Sequence, residues 1–341
     1  MKTIVDVANA ANVSVATVSK VFNGYQDIAD ETREKILHIA KDMDYFPNHF
    51  ASQLVNGKEE GICVILSMFG YQVSKDEYLV GILSGIHSEA EKHGLRVIIS
   101  TEKAILRDGK NYVQFCGSNK FMGFIIHGLN MSDPEIPHLV ESEVPCVFID
   151  ITIEGKKKVS VTTDNEKAAA EMTGLLAGLG HRHIGFVAGS VDSWVTPERV
   201  KGYCRAMGEL GLNPCIIQSD FTYPVSYDTI QEHILKHPET TALFCASDVI
   251  ASAALAVCAD LGYAVPKDIS VAGYDDLSFT SYLRPQLSSV AQNFFGLGAA
   301  ALSTLISIYQ EQDPGPIHYV PYEIKMRQSV AKNTRQNQES L

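Results

Sequence analysis

The chain lacks the marks of several large functional classes. No run of eighteen apolar residues occurs, so no membrane-spanning helix is expected. The seven cysteines (63, 116, 146, 204, 215, 245 and 258) include no Cys-x-x-Cys pair. That odd, dispersed set fits reduced thiols in a cytoplasmic protein, serving mostly as core filler. His181 and His183 flank Arg182 but read as a loop and a strand edge; with no zinc-like spacing elsewhere, neither a metal site nor a cofactor is expected. G-x-S-x-G, the P-loop and G-x-G-x-x-G are all missing, which argues against an enzyme. The start, MKTIVDVANA, has one lysine and no long apolar core, and is expected not to be a signal peptide. Positive charge is scarce as well. The net charge of −12 argues against nucleic-acid binding over the whole surface.

What is present is organised around Ile4 to Asn23, IVDVANAANVSVATVSKVFN. Ile4, Val7, Ala8 and Ala11 form one apolar stripe of a short helix. Asn12 tolerates the left-handed conformation of a tight corner, and Ser14 is a good N-cap for a second helix. There Val18 and Val21 point inward, leaving Val15, Ala16, Thr17, Ser19 and Lys20 outside. The pattern reads as a helix-turn-helix whose second helix enters a DNA major groove, although an ordinary helical hairpin also fits. Against the DNA reading, the first 58 residues hold six Lys/Arg and seven Asp/Glu. Weak non-specific binding and a need for dimerisation follow.

A third helix is predicted over 30–44, with Asp30 as its cap and Ile36, Ile39, Ala40 and Met43 closing a three-helix core. Tyr45-Phe46-Pro47-Asn48 stops it. Residues 49–56, HFASQLVN, are too few for a helix stable alone, so they are a linker or a helix formed only with support.

From Gly61 the pattern changes to apolar strands (62–66, 95–99, 122–126, 144–149, 184–188, 214–217, 242–246, 269–273) alternating with helices (76–93, 133–142, 164–179, 197–210, 225–237, 248–261). Continuous apolar strands with intervening helices predict parallel sheets covered on both faces. A break at 150–163, around Gly155-Lys156-Lys157-Lys158, splits the series into two similar lobes, with a ligand cleft at the strands' carboxyl ends.

The words VDVANAANVSVATVSKVFN, TREKI and YFPN followed by ASQL, then GHRHIGFVAG, ERVKGY, ISVAGYDD and Pro285…Leu287-Ser288-Ser289-Val290, resemble the lactose/galactose-repressor family of bacterial transcription regulators from Ile4 to about Arg327. The resemblance implies a small all-α headpiece over 1–48, a hinge helix and linker over 49–60, and a two-lobed α/β effector and dimerisation domain of the periplasmic-binding-protein type over 61–330. The N-lobe would take about 61–161 and 292–318, the C-lobe about 162–289 and 319–330, and 331–341 would be a polar tail. It implies a homodimer on a double-stranded palindromic operator, with a small molecule, a sugar or sugar derivative, between the lobes. Val15, Ala16 and Lys20 match base-reading positions, and Thr17, Ser19 and Asn23 match phosphate-facing ones. Tyr45, Asn48 and Ala51 fall among its DNA-contacting positions, and Leu54 matches a leucine that levers open the central base step from the minor groove. His127, Asp150, Arg199, Phe221, Ser247 and Asp275 match effector-contacting positions. From its place in the loop before Arg199, Trp194 is read as lying at the cleft mouth or as a packing residue, and Asp248 is read as the cap of the helix that follows it.

The chain departs from the family pattern at several points. Asn12 replaces a common glycine, Ala29 a common serine cap, Glu59-Glu60 a Thr-like connector and Ser247 a common asparagine; the Asn-Pro-Phe word after the first strand is missing. Two other readings stay open: a regulator that a co-repressor activates, and a cytoplasmic solute-binding module with a weakened headpiece. The polar tail lacks leucine heptads, so no tetramer is expected through it.

Overall fold

The computed structural model describes residues 4–22, 28–43, 61–67, 76–106, 111–119 and 121–334. Two compact units divide the chain, residues 1–60 and 61–341.

In the first unit α1 (Ile4–Ala11), α2 (Val15–Phe22) and α3 (Asp30–Asp42) surround a core of Val7, Ala8, Ala11, Val18, Val21, Ile36 and Ala40. Asn12 takes φ 58°, the left-handed corner that its side chain tolerates. Ser14 Oγ accepts the Thr17 amide at 3.0 Å, so the expected N-cap forms. Asp30 is not a cap. It is the first residue of α3, where the Arg33 amide bonds the Ala29 carbonyl, and its charge acts on the helix dipole instead.

The second unit holds two six-stranded sheets. The first has the order β11-β5-β4-β3-β1-β2 and is parallel throughout: β1 (Gly61–Leu66), β2 (Arg96–Thr101), β3 (Phe121–His127), β4 (Cys146–Ile149), β5 (Lys158–Thr163) and β11 (Ile317–Val320). The second runs β12-β10-β9-β8-β6-β7, with β6 (Ile184–Val187), β7 (Cys215–Ile217), β8 (Ala242–Cys245), β9 (Ser270–Asp275), β10 (Ser288–Ala291) and β12 (Glu323–Lys325). Only its edge strand β12 is antiparallel. Helices α4 (Asp76–His93), α5 (Glu102–Leu106), α6 (Tyr112–Asn119), α7 (Glu135–Glu141) and α12 (Phe294–Tyr309) belong to the first lobe; α8 (Asn165–Gly178), α9 (Val195–Glu209), α10 (Tyr223–Lys236) and α11 (Asp248–Asp260) belong to the second. The chain changes sheet after Thr163, Ala291 and Val320, so three crossings join the lobes.

The predicted break at 150–163 is corrected by β5. Its sequence KVSVTT is polar, yet it is buried along its whole length. Lys158 can be buried because its ammonium donates to the carbonyls of Ser142, Val144 and Lys156 at 2.8, 2.8 and 3.0 Å. Helix α12, also unanticipated, crosses α4 closely. A Cβ on Gly298 would sit 1.9 Å from the Ile82 carbonyl oxygen, a backbone atom that cannot swing away. Gly298→Ala is therefore expected to cost about 3 kcal/mol, read as a lowered midpoint in thermal unfolding.

The C-terminal segment is tied to the second lobe by buried His181. Its Nε2 lies 3.0 Å from the Ala331 carbonyl and its Nδ1 3.1 Å from Thr241 Oγ1. A carbonyl only accepts, so Nε2 carries a proton. Burial pushes this histidine below its ordinary value of 6.5, and burial also lowers His233. Below that value the unfolded chain binds the extra proton and the folded chain resists it. The contribution is thus full above about pH 6.5 and is lost on acidification. Denaturation at about pH 7.5 and 5.5 is expected to show a smaller acid loss in His181→Gln than in the parent.

Candidate functional site

A cavity of about 360 Å3 lies between the two sheets, at the carboxyl ends of their strands. His127, Asp150, Arg199, Phe221, Ser247 and Asp275 all line it, and so does Trp194. Most are placed by a strand end or by the first turns of a helix, whereas Phe221 lies in the segment between β7 and α10. His127 ends β3, Asp150 follows β4, Asp275 ends β9, and Arg199 sits early in α9.

The two carboxylates share an unusual backbone. Asp150 has φ 57° and Asp275 φ 112°, conformations that cost energy for a side-chain-bearing residue and concentrate at functional sites. Asp150 accepts from Tyr78 Oη at 2.5 Å and Thr162 Oγ1 at 2.6 Å. Burial, then the neighbouring Asp150 charge, raises the Tyr78 hydroxyl well above its usual range, so it stays a donor. Asp275 accepts from Gln292 Nε2 at 2.8 Å, and Gln292 Oε1 accepts from Thr163 Oγ1 at 2.7 Å. These bonds tie the site to two of the lobe crossings.

Arg199 is 3% exposed. Its Nε donates to Asn165 Oδ1 at 2.8 Å and its Nη1 to the Ala246 carbonyl at 2.5 Å. The guanidinium lies over the Tyr274 ring at 3.6 Å, and Tyr274 Oη closes the group on Asn165 Oδ1 at 3.0 Å. The cation is therefore fixed before any ligand arrives. Among the described residues Nη2 has no hydrogen-bond partner, which leaves it for an incoming oxygen. Phe221 stands over Gly189, where a Cβ would meet the ring at 2.2 Å, so this glycine is what lets the aromatic face reach the cavity. His127 Nδ1 is 3.4 Å from the Ile149 carbonyl, and its ring centre is 5.1 Å from that of Tyr78.

The cap of α11 is Ser247, not Asp248, although Ser247 also lines the cavity. Ser247 caps α11 by accepting the Ile250 amide at 3.3 Å. Asp248 is fully buried and accepts instead from the Leu277 amide and Ser289 Oγ, at 2.8 and 2.6 Å. Burial, then the Asp275 charge, raises its carboxyl well above the carboxylate range. Sequence reasoning missed Tyr78, Thr162, Asn165, Tyr274 and Gln292. Asn165, directly after a capping aspartate, and Tyr274, inside the quoted ISVAGYDD, carried the only local signals.

Two hydrogen-bonded clasps flank the cavity. Asp192 of the second lobe takes the Ser132 amide and hydroxyl at 3.1 and 2.6 Å, and its carbonyl takes the Met131 amide at 3.0 Å. Glu77 of the first lobe takes the Ser278 amide and hydroxyl at 2.8 and 2.7 Å.

In the headpiece unit Val15, Ala16 and Lys20 are exposed and Thr17 and Ser19 half-buried on the outer face of α2, opposite Val18 and Val21. Asn23, Tyr45, Asn48, Ala51 and Leu54, and the hinge segment as a whole, lie outside the described residues. Among the described residues no helix is long and apolar enough to cross a membrane, and no His/Cys/Asp/Glu group could hold a metal ion.

Residues 3–48 match the bacterial regulatory proteins of the lacI family, and residues 173–330 match the periplasmic binding protein-like domain. Catabolite control protein A of Priestia megaterium is 30% identical over 334 residues, covering 96% of this chain and 99% of that protein. The ribose operon repressor of Haemophilus influenzae is 28% identical over 90% of this chain and 91% of its own length. Among solved structures, the Lac repressor dimer bound to operator and the anti-inducer ONPF superposes with a TM-score of 0.78 at 26% identity, over 97% of this chain and 99% of that one. The transcriptional regulator CelR–cellobiose complex gives 0.71 at 25% identity, over 96% and 100%. With a helix-turn-helix headpiece, a two-sheet cleft domain and relatives matched along nearly their whole length, this chain belongs to the lacI family of bacterial regulatory proteins, DNA-binding regulators of transcription.

Proposed function

We propose that the protein is a repressor that grips a palindromic operator as a homodimer in the cytoplasm and changes its grip when a neutral sugar fills the inter-lobe cavity. The observation that carries this reading is the convergence of His127, Asp150, Arg199, Phe221, Ser247 and Asp275 on one cavity, with Asp150 and Asp275 held rigidly at strand ends. Rigid carboxylates accept paired hydroxyls, a guanidinium donates to ring or hydroxyl oxygens, and Phe221 offers an apolar face to the carbon side of a sugar. Asp150, Asp220 and Asp275 against Arg199 give the lining a negative balance, which disfavours a phosphorylated or carboxylated ligand. The names of relatives and neighbours support the same class: a ribose operon repressor and a regulator in complex with cellobiose.

On the DNA side, Val15, Ala16 and Lys20 read base edges, while Thr17, Ser19 and Asn23 set register on phosphates. Tyr45, Asn48 and Ala51 add contacts at the hinge, and Leu54 wedges into the minor groove at the operator centre. Subunits pair through lobe faces that include the outer side of α11.

Selection from pooled random duplexes across a salt series, followed by titration of cellobiose, ribose, glucose and glucose 6-phosphate, tests the reading. A recovered palindrome, with release or tightening by a neutral sugar, supports it and gives the sense of the response. No enrichment at low salt removes the DNA half, and binding of the phosphate alone overturns the ligand class. Leu54→Ala is expected to weaken operator binding by roughly a hundredfold while sparing sugar binding, because an intercalating wedge supports the bend that brings protein onto the duplex; equal operator affinity would remove the wedge.

A further inference from the structure

We propose that Trp194 holds the empty cleft open: the closed arrangement buries its indole N–H with no partner, and this opposes the clasps until an occupant relieves it. Trp194 belongs by backbone to the second lobe, in the loop after β6. Its ring packs against a cluster of the first lobe that includes Ile151 and Ile153. That burial exists only while the lobes are together. In this position Nε1 is buried and, among the described residues, bonds nothing. Indole N–H is a donor only, so the lost hydration is uncompensated.

The same loop carries Asp192, whose three hydrogen bonds to Met131 and Ser132 draw the lobes together. Closure thus brings a favourable clasp and an orphaned donor through residues two apart. When the lobes part, water hydrates the indole. When a ligand fills the cavity that Trp194 lines, a small shift of the ring brings Nε1 to a ligand oxygen and relieves the orphan. Trp194 also stands at the N-terminus of α9 with no side-chain cap there, so its movement is transmitted to the helix that carries Arg199. This proposal rests on the effector reading only in naming what relieves the orphan.

Two measurements on the full-length, ligand-free protein test it, so its failure is separate from a failure of the sugar titrations. The chain has a single tryptophan, and acrylamide quenching therefore reads Trp194 alone. Ready quenching in the empty protein is expected, as for a hydrated indole; a blue, shielded emission without ligand overturns the proposal. The second measurement is amide exchange at Met131, Ser132 and Ser278, the three amides that donate across the clasps. Trp194→Phe keeps an aromatic ring and removes the donor. It is expected to slow these amides about five- to tenfold relative to the sheet amides of β6 and β8, since replacing an unsatisfied donor with an apolar group favours the buried state. A tryptophan that merely packs gives the opposite sign, because the smaller ring loses contact and the clasp amides exchange faster. Unchanged or faster exchange relative to the sheets overturns the proposal, and the ratio carries the answer even if global stability falls.

Discussion

Asp275→Ala is expected to abolish the response to the effector while leaving operator binding within a few-fold of the parent. The side chain ends β9, lines the cavity and is steered by Gln292, whose own oxygen is held by Thr163. A carboxylate so fixed can accept two sugar hydroxyls with little reorganisation, and charge-assisted bonds of this kind are worth about 1.5–3 kcal/mol each. Removing both weakens binding by roughly a hundredfold or more, beyond useful ligand concentrations. Folding should survive, because Asp275 is only half-buried and lies at the cavity wall rather than in the core. Asp275→Asn separates charge from shape: asparagine tolerates the positive φ and can still take the Gln292 bond through Oδ1. Calorimetry with the sugar recovered in the screen, beside operator binding by fluorescence anisotropy, reads both variants. A full response in Asp275→Ala would move the effector site out of this cleft.

The legible parts of the fold were those fixed by local chemistry. Asn12 at the corner, Ser14 as cap and the helix over 76–93 follow from residue types and apolar spacing, and each stands where expected. What stayed hidden depends on partners distant in sequence. Strand β5 is polar because Lys158, Ser160 and Thr162 find their partners in the turn before β4, at the Ile153 amide and on Asp150. A hydropathy scan cannot see those compensations. Asp248 looked like a cap because it precedes a helix, but the true cap is one residue earlier and the carboxylate is spent on Leu277 and Ser289. In the cleft, the residues proposed to touch a ligand were reached by position through the family resemblance, whereas Tyr78, Asn165 and Gln292, which hydrogen-bond Asp150, Arg199 and Asp275, were not. Positioning residues are chosen by tertiary geometry, and little in their flanking sequence announces them.

Lys20→Ala is expected to lower operator affinity by roughly a hundredfold in the dimer, with the loss concentrated at one base pair of each half-site. Lys20 is exposed in the last turn of α2, on the face opposite the buried Val18 and Val21, so alanine leaves the three-helix core intact. A base-reading ammonium contributes about 1–3 kcal/mol of discrimination through guanine O6 and N7, and a palindrome counts it twice. The headpiece makes this contact weigh more than usual. With acidic residues slightly outnumbering basic ones in the first 58 positions, little non-specific attraction remains to mask the loss. Two measurements separate the possible chemistries. If Lys20 reads a base, the variant tolerates all four bases at that position and the dependence of affinity on salt keeps its slope. If it neutralises a phosphate, every sequence weakens alike and the slope falls by about one per contact. The second result would shift sequence reading onto Val15 and Ala16, whose methyl groups can only favour thymine, and an operator selected by such a headpiece would have to be correspondingly rich in A·T pairs at those positions.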